Sequence, residues 1–71
     1  MHRERVSSEV LCSVGYDPDR SILELEFTSG EVYRYLDVPP ALHVGLMTAR
    51  SHGAFFAAHI RDAGFEFERV S

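Results

Sequence analysis

Seventy-one residues, 45% hydrophobic and 25% charged, allow one small domain (residues 1–71), whose thin core holds roughly 60% of the unfolded chain's surface. The single cysteine excludes an internal disulfide and suits a reducing cytoplasm; no signal-like segment follows Met1, and no apolar run nears the roughly 20 residues that span a bilayer. Seven arginines with no lysine, against eleven acids, leave a net charge of −4, which argues against a ligand held mainly through phosphate neutralisation.

Along the chain, Val10, Cys12, Val14 and Tyr16 alternate with Leu11, Ser13 and Gly15, the pattern of a first strand. Asp17-Pro18-Asp19-Arg20 has turn chemistry, because Pro18 presets φ and the aspartates accept from nearby backbone amides. Leu23, Leu25 and Phe27, interleaved with Glu24 and Glu26, predict a second strand. Thr28-Ser29-Gly30 then turns the chain into a third, Val32 to Leu36. A three-residue loop with Gly30 in the left-handed region sets Tyr33 opposite Leu25, Tyr35 opposite Leu23 and Arg34 opposite Glu24. A two-residue loop would place Arg34 against Leu25 instead. A one-residue slip exchanges the faces of a strand, so the hydrophobic pattern selects the first register and puts both tyrosines on the core face.

Pro39 and Pro40 stop the third strand, and Pro40 suits the first position of a helix. In that helix Leu42, Leu46 and Ala49 share a stripe flanked by Val44 and Met47, while Gly45 marks it as short or tightly packed. Ser51 is the expected N-cap of a second helix reaching Asp62, with Phe56, Ile60 and Ala63 as its buried stripe, Phe55 and His59 beside it, and Gly64 as its stop. Phe65 and Phe67 alternate with Glu66 and Glu68, so the tail adds a short strand or packs down. The predicted architecture is α+β: an antiparallel three-stranded meander followed by two short helices packed on one face, with that C-terminal segment as a candidate further strand.

The order of these features resembles the KTSC domain family, found at the C-terminus of some lysyl-tRNA synthetases and as stand-alone small bacterial and phage proteins. The resemblance runs from Ser8 to Arg61. It rests on Gly15-Tyr16-Asp17, the hairpin glycine Gly30, the central Tyr33-Arg34-Tyr35, Val38-Pro39, the run Ala49-x-Ser51-x-Gly53-x-Phe55-Phe56, and Ile60-Arg61. Two positions depart from it: Phe55 stands where the family carries Tyr, and Ala57 where it usually carries Asn. The resemblance implies a small non-enzymatic binding domain. Its synthetase context implies an accessory role with RNA, tRNA-like, as the partner.

Several residues are candidates for that role. Arg50, with Ser51 and Gly53 at a helix start, suits an anion, although a plain N-cap is the simpler reading of Ser51. Arg61 suits a phosphate or carboxylate, and equally the C-terminal end of its own helix. Tyr33 and Tyr35 suit base stacking if exposed, and amphipathic core positions if the chosen register holds. The alternative reading is a protein-interaction or self-associating module, monomer or weak homodimer. Its surface would be the other sheet face, displaying Leu11, Ile22, Val32 and Leu36 around Arg34. No cofactor, metal or catalytic residue is predicted: His52 and His59 are seven apart, no metal-binding spacing occurs, and Cys12 resembles a small buried hydrophobe.

Overall fold

The computed structural model describes all 71 residues. Five strands, β1 (Glu4–Arg5), β2 (Leu11–Asp17), β3 (Ile22–Phe27), β4 (Val32–Tyr35) and β5 (Phe67–Arg69), form one antiparallel sheet in sequence order. Between β4 and β5 the chain makes helix α1 (Pro40–Thr48) and helix α2 (His52–Phe56), the latter continuing as a π-helical turn over Ala57–Arg61. The architecture is therefore α+β, as the sequence predicts, with a strand added at each side of the central meander. No helix is long and apolar enough to cross a membrane.

The central register follows from the hairpin. Leu23 faces Tyr35, Glu24 faces Arg34 and Leu25 faces Tyr33, and Gly30 holds φ +105° in the connecting turn. A side chain there would be strained, which is why the three-residue loop needs glycine. The preceding turn is closed by the Asp17 carboxylate, which accepts from the Asp19 and Arg20 amides at 3.0 and 3.3 Å. One face of the sheet then carries Leu23, Leu25, Val14 and Tyr35 against Leu46, Phe56 and Ile60 of the helices, and these form one buried cluster.

Gly45 lets the helices meet. A Cβ at that position would stand 2.5 Å from the tip of the Phe55 ring, so the glycine that weakens α1 by propensity permits its close approach to α2. Ser51 caps α2 as expected, its hydroxyl accepting from the Ala54 amide at 3.1 Å. Gly64 ends the helical segment at φ +87°. Ala63 does not join the buried stripe and is exposed. The π turn spaces its hydrogen bonds one residue wider than an α-helix, so the stripe through Phe56 and Ile60 does not continue to Ala63.

The first strand corrects the alternation read from sequence. The β2–β3 register shifts between Leu11 and Ser13, so Cys12 sits at a bulge. Beyond it Leu11 pairs with Phe27 and turns into the core, fully buried, while Val10 is left 43% exposed. Cys12 is half-buried rather than packed as a core hydrophobe. A bulge inserts one residue and thereby exchanges faces, which strict alternation cannot anticipate.

Candidate functional site

On the outer sheet face, away from the helices, the cross-strand neighbours of Glu24 build a charged row. Arg3 and Arg34 both donate to the Glu24 carboxylate, at 2.6 and 2.8 Å. Gly15 lies between β1 and Glu24 in that row, and a Cβ on it would meet Arg3 at 2.9 Å, so the gap in the sheet surface is where the Arg3 side chain crosses. Burial by itself would raise the Glu24 carboxyl, but the hydrogen bonds and charges of Arg34 and Arg3 outweigh it and hold the group below the ordinary carboxylate range. Ser13 is also buried, and its hydroxyl donates to Glu26 at 2.8 Å.

This removes the apolar interaction face expected from the sequence. Leu11 belongs to the core through the bulge. Val32 is buried, its amide donating to the Ser71 carbonyl and its carbonyl accepting from Val70 as the tail pairs alongside. Ile22 and Leu36 are half-buried, and Arg34 is committed to Glu24. From Arg3 through Glu24 to Arg34 the outer face is therefore a paired polar row, with Ile22 and Leu36 half-buried beside it.

The helix side offers a different surface. Beyond Phe56 and Ile60 the helices leave the β4–β5 end of the sheet open, and a groove of about 400 Å³ runs there, lined by Phe27, Tyr33, Tyr35, Phe56, Phe67 and Arg61 among others. Its aromatic rings form a connected network. Phe67 lies 5.7 Å from Tyr33 and 5.3 Å from Tyr35, its ring tilted by 36° and 31° to theirs, and the residue is 56% exposed. Phe27 meets Tyr33 and Phe56 edge-on, and Phe56 meets Tyr35 edge-on. Tyr35 is buried and Tyr33 half-buried, so the pair serves as the wall of the groove and as part of the core at once.

The polar chemistry of the groove is sparse. Burial, reinforced by Tyr33, pushes the Tyr35 hydroxyl above its usual range against the opposing charge of Arg61, which keeps it a neutral donor. Neither tyrosine hydroxyl of the groove hydrogen-bonds within the protein, whereas Tyr16 donates to the Val38 carbonyl at 2.6 Å. The π turn places Arg61 on the groove, exposed and paired only with its neighbour Asp62 at 3.2 Å. Glu31, hydrogen-bonded by Ser29, closes the far side.

The structure thus divides the residues singled out from the sequence. Tyr33, Tyr35 and Arg61 share the aromatic groove, while Arg50, Ser51 and Gly53 line a separate depression of about 230 Å³ with Ser7 and Ser8. Val10 is on the rim of both. Phe67, which the sequence offered only as part of a tail, is the exposed ring of the groove. Its alternation with Glu66 and Glu68 was the available signal. No group of His, Cys, Asp and Glu is arranged to hold a metal ion.

Comparison with known proteins gives these features a context. The KTSC domain family profile matches residues 7–65. An uncharacterised protein of Stutzerimonas stutzeri is 40% identical over 70 residues, covering 99% of both chains. A lysine–tRNA ligase of Nostoc punctiforme is 37% identical over 62 residues, which is 87% of this chain but 11% of the ligase. The crystal structure of a KTSC domain protein from Yersinia pestis superposes with a TM-score of 0.91 at 39% identity, over 99% of this chain and 97% of that one. With a profile match across most of its length and a relative of the same size at 40% identity, the chain belongs to the KTSC domain family.

Proposed function

We propose that this domain is a non-enzymatic RNA-binding accessory module of the cytoplasm that takes an unpaired base in its aromatic groove. The observation that carries the reading is Phe67: an aromatic residue more than half exposed, its ring backed by Tyr33 and Tyr35, with one arginine at the rim. Such a ring is a stacking platform, and base–aromatic stacking contributes about 1–3 kcal/mol per base. Relatives of this domain in lysine–tRNA ligases are consistent with an RNA partner. At a net charge of −4 the affinity rests on stacking, with Arg61 supplying a single phosphate contact.

Titrating ¹⁵N-labelled protein with tRNA and with a short unpaired oligonucleotide, at about 50 and 200 mM salt, tests the reading. Amide shifts are expected around Tyr33, Tyr35, Arg61 and Phe67, with a shallow salt dependence. Phe67→Ala loses the ring contacts with Tyr33 and Tyr35 but should remain folded with a modestly lower melting temperature, and should weaken binding about tenfold or more. Silence at these amides at low salt would remove the proposal.

A further inference from the structure

We propose that the free edge of β5 is a strand-addition site for an extended peptide segment with alternating basic and apolar residues. The sheet ends on β5, and all three residues of that strand are exposed. The even-numbered residues of the tail turn their backbone towards β4: the Glu66 carbonyl accepts from Leu36, and the Val70 amide donates to Val32, both at 2.8 Å. By the alternation of an antiparallel ladder, Phe67 and Arg69 present their N–H and C=O groups outward. That is a row of backbone groups ready to pair with another chain.

Charge states what kind of strand fits. Across the outer face the row runs Arg3, Gly15, Glu24, Arg34, Glu68. Arg34 is spent on Glu24, and neither Glu66 nor Glu68 takes part in an ion pair, so the alternation of sign stops on two acids. A further strand continues it with basic residues opposite Glu66 and Glu68, and an apolar residue between them lands on the helix side against Phe67. A second copy of this chain does not fit. In face-matched antiparallel registers centred on Phe67, Glu68 or Arg69, the copies would set Glu66 against Glu68, Glu68 against itself, or Arg69 against itself, and like charges directly opposite destabilise a strand pair. The edge thus repels itself and accepts a basic strand. The opposite edge, β1, is two charged residues long and offers no comparable ladder.

The test uses the whole protein and three nine-residue peptides: alternating lysine and valine, alternating glutamate and valine, and the same lysines and valines sorted into two blocks. The alternating basic peptide should shift the β5 amides and slow hydrogen exchange at Phe67 and Arg69 by about tenfold or more. The acidic peptide should not bind. Glu66→Lys with Glu68→Lys should exchange the preference between the two alternating peptides. Chemical synthesis with an N-methyl group on Arg69 removes one outward donor and no side chain; it should abolish the protection read at Phe67 while circular dichroism and melting stay unchanged. If block and alternating basic peptides bind alike, or the edge amides stay unprotected, the glutamates only keep copies apart and the proposal is overturned. RNA titration of the N-methyl variant separates this site from the groove, since base stacking on Phe67 does not use the Arg69 amide.

Discussion

At the scale of the residue, the Tyr-x-Tyr pair shows how one motif serves structure and surface together. Tyr35 is 5% exposed, and its ring meets both Phe56 and Phe67. Tyr35→Ala should cost about 3 kcal/mol or more, the scale of large aromatic truncations. A small domain holds only about 5 kcal/mol, so this variant should lose more than half of its stability and melt far below the parent by circular dichroism. Tyr35→Phe should be nearly neutral, because its hydroxyl makes no bond within the protein. Tyr16→Phe removes a 2.6 Å bond to the Val38 carbonyl and should cost about 1 kcal/mol in chemical denaturation. A folded, native-melting Tyr35→Ala would contradict the core placement of the pair.

Elements are decided by contacts between them as much as by their own sequence. Helix α1 contains Gly45, which propensity disfavours by about 1 kcal/mol relative to alanine. Gly45→Ala would therefore stabilise an isolated α1. In the domain the added methyl meets the Phe55 ring at 2.5 Å, and overpacking of this kind costs about 1–3 kcal/mol. The expected outcome is a lower melting temperature for Gly45→Ala and recovery in Gly45→Ala with Phe55→Leu, which clears the space. Equal or higher melting of the single variant would show that α1 and α2 can separate without loss. The π turn after α2 is a further case: Ser51 as N-cap and Gly64 as stop bound the segment correctly, yet the wider turn within it leaves Ala63 outside the core.

For the whole molecule, the one buried carboxylate links the N-terminal strand to the centre of the sheet. Glu24 is 4% exposed between Arg3, 21 residues before it in sequence, and Arg34, ten after. Its folded-state pKa lies below the ordinary carboxylate value, so the unfolded chain takes up the proton first as pH falls. Stability from this group is fully present above the ordinary range and is lost as pH drops through the folded value. Urea midpoints should therefore fall as the pH drops below the ordinary carboxylate range, and the protection of the Val6 amide, bonded to the Cys12 carbonyl at 3.1 Å, should fall with them relative to its intrinsic exchange rate at each pH. Glu24→Gln should cost about 1.5–3 kcal/mol at neutral pH and flatten the acid slope. An unaltered slope in that variant would show that the acid response comes from other carboxylates, such as Glu31.

The sequence by itself determined the central meander, its register, both helix boundaries that matter to packing, and the family, because each depends on local patterns: alternation, turn glycine, N-cap, helix stop. Glu24 opposite Arg34 and Leu25 opposite Tyr33 were legible for that reason. Only the tertiary structure decided the rest. Strand β1 has no apolar alternation and is placed by its ladder to β2 and by Arg3 reaching Glu24. The bulge at Cys12 sends Leu11 into the core, and so removes the apolar outer face that strict alternation predicts. The groove joins Tyr33 and Tyr35 of β4, Arg61 of the π turn and Phe67 of β5, while Arg50, Ser51 and Gly53 fall elsewhere. Contacts across tens of residues have no period in the chain, so a one-dimensional pattern specifies the strands and helices but not which of their side chains meet.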